Sequence, residues 1–183
     1  DLLIKTLEKY DVKIISSGGT ARRIKEIGYK QLTEVSDYTG HPESPEGLVK
    51  TLHPKLHGGL LLDRNQAKHV KWMNENEIEP IDLVVVNLYP FEEVVKGEAD
   101  LEVAGHNIDI GGPTLLRSAA KASLLYDNNC VVSDPEQYRE LIDCLEKSNG
   151  KLTTELKKKY AMRAFKRTAE YDTVIVGYLE ETL

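Results

Sequence analysis

The residues VKIISSGGTA at positions 12–21 place a short β-branched run directly before a glycine turn and a helix-like segment. Val12–Ile15 predicts a buried strand, because β-branched residues favour an extended backbone. Ala21–Ile27 predicts a helix, which Gly28 ends. A strand, a glycine turn and a helix in this order form one unit of an α/β fold with parallel strands.

Strands and helices continue to alternate along the chain. The apolar run 81–88 predicts a strand covered on both faces, and shorter runs predict strands at 130–132 and 60–62. The segment 36–59 is rich in Gly, Pro, Ser and His, and it is predicted to be an ordered functional loop. Helical spacing and capping residues predict helices at 1–9, 65–76, 114–123, 134–147, 153–171 and from 172 onward.

This pattern predicts an α/β fold in three layers, with a mainly parallel sheet and helices on both faces. A length of 183 residues fits a single domain over 1–183, of which 151–183 is a helical C-terminal segment. The sequence starts without Met and inside a helix-like pattern, so we expect that residues upstream are missing.

Composition excludes several classes of function. The net charge of −6 disfavours nucleic-acid binding, which usually requires a basic face. No apolar run in the sequence approaches the ~18 residues of a membrane span, and no signal-peptide layout is present. Cys130 and Cys144 have neither the number of a disulfide framework nor the spacing of zinc ligands. We therefore expect reduced thiols, a cytoplasmic location and no membrane partner.

The first candidate site is the turn formed by Ser17, Gly18, Gly19 and Thr20 at the carboxyl end of the first predicted strand. Glycines let backbone N–H groups approach an anion, and the helix that follows offers its positive end. The alternative is a tight turn in which Thr20 caps the helix. The Walker pattern is absent, because no Gly-Lys-Ser or Gly-Lys-Thr follows.

The second candidate is the segment LVKTLHPKLHGG at 48–59, which concentrates cationic and imidazole groups. This composition suits an anion pocket with a proton-transfer group. His53 and His57 have the spacing of helical metal ligands, but Pro54 between them disfavours a helix and no third ligand stands nearby. A solvated basic loop is the alternative interpretation.

Two further candidates follow predicted strands or precede helices. Asn87 and Tyr89 emerge from the longest strand, where polar groups contact a ligand or only cap the strand. Asp109 precedes a Gly-Gly helix start, and Lys121 follows about two turns into the predicted helix. Asp109 is either a functional carboxylate or a helix cap. Lys121 is either a proton carrier, if it is partly desolvated, or an ordinary surface lysine.

Five motifs appear together in an order and spacing that resemble the N-terminal IMP cyclohydrolase domain of the bifunctional purine biosynthesis proteins. They are SGGTA at 17–21, EVSDYTG at 34–40, VKTLHPK at 49–55, DLVVVNLYPF at 82–91 and NIDIGGP at 107–113. The resemblance implies a methylglyoxal-synthase-like fold, a homodimer, and closure of the nucleotide FAICAR to IMP with loss of water. It implies neither a metal nor a cofactor.

The resemblance also implies roles for particular residues. Ser17 to Thr20 hold the ribose phosphate of the substrate, Lys50 and Thr51 reach the ligand, and Lys121 carries protons. Asn87 and Tyr89 line the side of the base, followed by Asp109 and Ile110. The catalytic candidates are Lys121, Asp109, Lys50 and Tyr89, and the substrate-binding candidates are Ser17, Gly18, Gly19, Thr20, Thr51, Asn87, Ile110 and Gly111.

Ring closure needs residues of these types. The carboxamide nitrogen of the substrate is a poor nucleophile, and orientation beside the formyl group can supply roughly 7–11 kcal/mol of the barrier. The formyl oxygen gains negative charge, and each preorganised donor contributes about 3–4 kcal/mol there. Lys50, Tyr89 and the backbone around Gly111 are the candidate donors. We expect Lys121, oriented by Asp109, to move the protons.

The chain departs from the family pattern at several places. The first strand of the family, with its Ser and Lys near the phosphate, is expected before Asp1. Leu48 replaces a usual Arg, which is expected to weaken anion binding. Ala122 and Ser123 stand where the family tends to have Asn-His, and 124–129 resembles a small insertion. Formyl transfer onto AICAR needs a C-terminal domain, and no part of this sequence corresponds to it.

Two other functions compete with the cyclohydrolase. A non-catalytic regulatory domain of the same fold, like that of carbamoyl-phosphate synthetase, would keep the glycine turn. Such a domain would not need Lys50, Asp109 and Lys121, so their presence favours catalysis. A methylglyoxal synthase is disfavoured, because the segments at 50–54 and 107–112 belong to the cyclohydrolase pattern.

Overall fold

The computed structural model describes residues 1–97 and 99–183 and confirms the predicted α/β class. Its strands are β1 (Ile14–Ser16), β2 (Leu32–Glu34), β3 (Leu83–Val85) and β4 (Cys130–Val132). Its helices are α1 (Leu2–Lys9), α2 (Gly18–Glu26), α3 (Val35–Thr39), α4 (Pro54–Leu61), α5 (Ala67–Glu75), α6 (Phe91–Lys96), α7 (Leu101–His106), α8 (Gly111–Tyr126), α9 (Tyr138–Lys147) and α10 (Thr154–Thr182). Single 3₁₀ turns cover Pro45–Gly47 and Pro135–Gln137.

The strands pair in parallel, as predicted, but they form two short sheets. In the first sheet Ile14 of β1 lies opposite Leu32 of β2. In the second sheet Leu83 of β3 lies opposite Cys130 of β4. Within each pair the carboxyl ends lie at one edge, which is where ligands of open α/β sheets collect.

Helices α8 and α10 form the main support of the second sheet. Leu116, Ala119 and Ala120 of α8 are fully buried in the same core as Ala161 and Ala164 of α10. Alanines let the two helix backbones approach closely, so the helices pack along each other and against β4. This packing fixes the start of α8, which the candidate site uses.

Several sequence predictions in the first half of the chain are wrong. Segment 36–59 is not a loop with little regular structure, because α3, a 3₁₀ turn and most of α4 lie within it. The predicted strand 60–62 is instead the end of α4. Pro54 does not prevent a helix: it occupies the first helical position, where its missing N–H costs nothing.

The C-terminal helices were also divided wrongly. The sequence predicts a helix end at Tyr171, because Asp172 is a good capping residue, but α10 continues through it to Thr182. Asp172 is exposed, whereas Tyr171 is buried and Ile175 packs against the core. The apolar face therefore passes through residue 172 without a break, and an aspartate on the opposite side is tolerated.

No helix among the described residues is long and apolar enough to cross a membrane. Both cysteines carry free thiols in the structure. Burial raises the pKa of Cys130 to about 12, so this thiol stays protonated and packs as a small apolar group.

Gly59 in α4 gives a test of the packing around the helix. A methyl group on Gly59 would lie 2.5 Å from the backbone oxygen of Glu79 and would press on Ile81. We expect Gly59→Ala to lower the free energy of unfolding by about 1–3 kcal/mol in urea denaturation. Gly177→Ala in α10 is the matched control, because its methyl group meets nothing within 4 Å. The free energy of unfolding of the control should rise by up to about 1 kcal/mol. Equal stability of the two variants would contradict the close packing of Gly59 against Glu79 and Ile81.

Candidate functional site

The glycine turn ends β1 and starts α2. Ser17 is the extended N-cap residue and Gly18 is already the first helical residue. Gly18 has a φ of +58°, a left-handed conformation that favours glycine. The N–H groups of the first turn have no acceptor within the helix, and they form its positive end. The alternative in which Thr20 caps the helix is wrong, because the helix starts two residues earlier.

Lys50 is brought to this turn from the predicted second site. Its ammonium group lies beside Gly18, since a methyl group on Gly18 would be 3.3 Å from Nζ of Lys50. The same Nζ forms an ion pair of 3.0 Å with Glu43. A lysine beside the positive end of a helix favours a negative partner, and Glu43 supplies one in this structure.

A cavity of about 100 Å³ opens between these groups. Its polar lining comes from the end of β1, from β2 and α3, and from the segment that leads into α4. The polar side chains are Ser17, Glu34, Ser36, His41, Glu43, Lys50 and His53. The cavity is therefore the place where an anion would meet both Lys50 and the start of α2.

The segments around Thr51 and Asp109 meet at the start of α8. A methyl group on Gly111 would overlap the hydroxyl oxygen of Thr51. A methyl group on Gly112 would overlap the carboxylate of Asp109 and press on Leu88, which follows β3. Both glycines are thus needed for close approach, and three predicted motifs share one corner of the molecule.

Asp109 is held from two sides. Its carboxylate Oδ1 accepts a hydrogen bond of 2.8 Å from the N–H of Gly112, so Asp109 does cap the start of α8. Its backbone N–H donates to the hydroxyl of Tyr171 on α10 at 2.8 Å. Tyr171 is fully buried, and burial raises its pKa, so its hydroxyl keeps the proton that it donates to Asn107. The second carboxylate oxygen of Asp109 has no hydrogen-bond partner among the described residues.

Other candidates lie at the border of this corner. Tyr89 is 64% exposed and Ile110 is 56% exposed. Asn87 is exposed too, but its amide donates to the hydroxyl of Tyr138 at 3.0 Å. Tyr89 and Ile110 are accessible to a ligand, whereas Asn87 would have to leave Tyr138 to bind one.

Lys121 lies apart from the other candidates. It is exposed on α8, ten residues after Gly111, which corresponds to about 15 Å along the helix axis. Among the hydrogen bonds and ion pairs of residues 1–97 and 99–183, none joins Lys121 to Asp109. The expectation that Asp109 orients Lys121 within one chain is therefore not met in this structure.

Sequence reasoning missed several polar groups of the site. Glu43 and Tyr171 stand outside the recognised motifs, and their contacts with Lys50 and Asp109 are tertiary. Ser118 lies on α8 and contacts His57. The spacing of residues along the chain carries no signal for any of these contacts.

His53 has an unusual environment for a histidine. Its Nδ1 accepts the N–H of Lys55 at 3.1 Å and caps α4, so the neutral ring carries its proton on Nε2. Burial lowers the pKa of His53, and the His41 ring and Lys55 lower it further. The unfolded chain therefore binds this proton more tightly, and the contribution of His53 to stability is lost as the pH falls below the pKa of the unfolded chain.

We expect NMR titration of the ring signals to give His53 a pKa below that of an exposed histidine. The variant His41→Ala should raise this pKa only in part, because burial is the larger cause. A pKa at or above that of a free histidine would contradict the environment described here.

Glu43 allows a test of the anion site. We expect Glu43→Gln to strengthen binding of inorganic phosphate by up to about fivefold, the size that a partly exposed ion pair supports. The reason is that an anion no longer competes with Glu43 for Lys50. Glu34→Gln is the matched control, because Glu34 lines the same cavity but pairs with Lys25. Phosphate affinity is measured by calorimetry. If both variants gain the same affinity, the effect comes from the change in net charge and not from the ion pair.

The fold and the site define an α/β domain with a polar cleft at the carboxyl ends of its first pair of parallel strands. The chain belongs to the MGS-like domain family, whose sequence profile matches residues 2–114. Residues 119–183 match the profile of the AICARFT/IMPCHase bienzyme. The two matches confirm the resemblance inferred from the five motifs.

Known relatives are longer than this chain. It is 49% identical over 177 residues to the bifunctional purine biosynthesis protein PurH of Persephonella marina, covering 97% of the chain and 33% of the relative. It is 46% identical to PurH of Trichodesmium erythraeum, with 99% of the chain and 34% of the relative covered. The chain thus spans about a third of these relatives and is their IMP cyclohydrolase-like portion.

Among solved structures, the crystal structure of ForH has the same fold. Its superposition gives a TM-score of 0.81 at 27% sequence identity, and it covers 97% of this chain and 91% of ForH. The likeness extends over α10, so the long C-terminal helix belongs to the shared architecture.

Proposed function

We propose that the chain is an IMP cyclohydrolase that closes FAICAR to IMP in purine biosynthesis, without a metal or a cofactor. The observation that carries the proposal is the meeting of Lys50 with the glycine turn, and of Thr51 with Gly111 next to Asp109. Lys50 lies beside the start of α2, and its neighbour Thr51 lies beside the start of α8, which supports one binding region between the two helix starts. The relatives named PurH are purine biosynthesis enzymes, which supports the same conclusion.

In this proposal the phosphate of the substrate binds at the start of α2. The N–H groups of Gly18, Gly19 and Thr20 and the hydroxyl of Ser17 donate to its oxygens. Lys50 leaves Glu43 and pairs with the bound anion, which compensates the lost ion pair. Thr51, Asn87 and Ile110 border the rest of the nucleotide and fix its orientation.

The chemical step joins two groups of one molecule. The carboxamide nitrogen attacks the formyl carbon, the formyl oxygen gains the charge, and a proton leaves the nitrogen. The formamide nitrogen then loses its own proton and forms a double bond to the same carbon as the bond from carbon to oxygen breaks. The oxygen departs as water, and the two protons that it takes up balance the two that the nitrogens lose. Tyr89 and the N–H of Gly111 stabilise the oxygen, and the free carboxylate oxygen of Asp109 accepts the proton from the carboxamide nitrogen.

Lys121 delivers a proton to the departing oxygen in this mechanism, but from a second copy of the chain. Its helix carries it about 15 Å from Gly111, too far to reach the cleft of its own chain. Next to Lys121 two large apolar side chains, Leu124 and Leu125, are 48% and 58% exposed. Such exposed neighbours favour contact between two copies, and a symmetric homodimer would bring each Lys121 to the other cleft.

A direct assay tests the proposal. The full-length protein is incubated with FAICAR, and the absorbance change that accompanies IMP formation is followed. We expect turnover without added metal. Formation of methylglyoxal from dihydroxyacetone phosphate, with no turnover of FAICAR, would overturn the proposal in favour of the synthase.

The alternative is a regulatory domain that binds a phosphorylated ligand without turnover. The contacts of the glycine turn with Lys50 fit such a domain as well as an enzyme. IMP binding in calorimetry together with no turnover of FAICAR would establish this alternative. The C-terminal formyltransferase domain of the longer relatives belongs to the same proposal, and it is tested separately by formyl transfer onto AICAR.

A further inference from the structure

His57 makes two hydrogen bonds that join separate parts of the cleft. Its Nε2 lies 3.0 Å from the backbone oxygen of Thr51, and its Nδ1 lies 3.0 Å from the hydroxyl oxygen of Ser118. His57 sits on α4 and Ser118 on α8, while Thr51 belongs to the segment before α4. One partly buried ring therefore connects three elements.

The partners of the ring determine where its proton lies. A carbonyl oxygen only accepts hydrogen bonds, so Nε2 of His57 carries a proton and donates it to Thr51. In the neutral ring Nδ1 then accepts the proton of the Ser118 hydroxyl. Protonation of Nδ1 would keep both bonds, because the Ser118 oxygen also accepts. Both ring nitrogens are engaged, so His57 has no free nitrogen with which to exchange protons with a substrate.

The segment 48–53 has few hydrogen bonds that reach beyond its neighbours in the chain. Its backbone bonds are short-range: Leu52 donates to Val49, and Lys50 donates to Gly47 at a long distance of 3.4 Å. The oxygen of His53 accepts from the N–H groups of Leu56 and His57 in the first turn of α4. Among the hydrogen bonds of the described residues, those of His57 are the ones that link this segment to α8. The hydroxyl of Thr51 also lies close to Gly111, at the start of α8.

We infer that His57 is a positioning residue for ring closure, which holds the backbone of Lys50 and Thr51 against the start of α8. This inference rests on the proposed function for its effect on turnover. His57 does not touch the substrate and transfers no proton. The loss of the ring would let the segment 48–53 move relative to Gly111, and the misplacement of groups around the reacting atoms lowers the rate.

Glutamine and asparagine separate the two hydrogen bonds. The amide nitrogen of Gln reaches the place of Nε2 and restores the bond to Thr51, whereas the amide of Asn reaches only the place of Nδ1. In the full-length protein we expect His57→Ala and His57→Asn to lower kcat by about tenfold or more, the effect of one lost hydrogen bond of ordinary strength. We expect His57→Gln to stay within about threefold of wild type, with an unchanged pH profile of kcat.

The opposite pattern would overturn the inference. Glutamine cannot act as an acid or base, so a His57→Gln enzyme as weak as His57→Ala would make His57 a proton carrier or a packing residue. If His57→Ala keeps wild-type turnover, His57 has no role in ring closure. The variant Ser118→Ala, which keeps the bond to Thr51, should have a smaller effect than His57→Asn.

A second measurement does not depend on activity. We expect hydrogen exchange of the amides in segment 48–53 to accelerate about tenfold in His57→Ala and His57→Asn but not in His57→Gln. If the full-length protein fails to close FAICAR, the proposed function fails, and this exchange pattern still decides whether His57 positions the segment. Equal exchange in all variants would overturn the inference, whatever the activity.

Discussion

The variant Asp109→Asn is expected to lose about 100-fold to 10,000-fold in turnover of FAICAR while it remains folded, the range of a lost general base. An asparagine oxygen still accepts the N–H of Gly112, so the cap of α8 survives. The amide nitrogen that replaces the second oxygen cannot accept a proton. The loss should therefore appear in kcat, with little change in KM or in the melting temperature.

A matched control separates capping from chemistry. Asp100 caps α7 with the same geometry, since its Oδ1 accepts the N–H of Val103 at 2.8 Å. Asp100→Asn should keep wild-type turnover, and both variants should differ from wild type by only a few tenths of a kcal/mol in stability. Equal kcat for Asp109→Asn and wild type would reduce Asp109 to a structural cap.

The glycine turn was predictable because its chemistry is local. A β-branched run before Ser17 and glycines at 18 and 19 already specify a strand, a left-handed turn and the start of a helix. The order of the motifs then predicted the family, which the two profile matches confirm. What remained hidden was every contact between distant parts of the chain, such as Tyr171 with Asp109, because no local pattern encodes it.

Two errors in the helices have one cause. Pro54 and Asp172 were treated as residues that disrupt or divide a helix, although each is compatible with a helix at the position it occupies. Pro54 stands at the first helical position, and Asp172 stands on the exposed side of α10. Whether such a residue ends a helix depends on the tertiary environment, and a single sequence does not contain that information.

The position of Lys121 shows the same limit for function. The motif indicates that a lysine follows Asp109 along one helix, and this suggested that the two side chains act as a pair. The rise of a helix separates them within one chain by more than a lysine can span. The motif therefore does not state whether Asp109 and Lys121 act together in one copy of the chain or in two.

Mixed dimers test whether Lys121 acts across two copies. We expect Lys121→Ala alone to lose about 100-fold or more in turnover, as Asp109→Asn does. When the two inactive variants are mixed and allowed to exchange subunits, a hybrid dimer contains one cleft with an intact Asp109 and the wild-type Lys121 of its partner. Turnover should recover to about one quarter of wild type, because half of the randomly mixed dimers are hybrids with one intact cleft each.

The control for this experiment is a mixture of Lys50→Ala with Asp109→Asn. Lys50 and Asp109 belong to one cleft of one chain, since Thr51 contacts Gly111 in the same copy. Every cleft of such a hybrid lacks one of the two residues, so turnover should stay at the level of the parents. If the mixture of Lys121→Ala with Asp109→Asn also stays there, Lys121 acts within its own chain and the segment from Gly111 to Lys121 must rearrange when substrate binds. Wild-type turnover of Lys121→Ala by itself would remove Lys121 from the mechanism and leave Asp109 as the proton-transfer group.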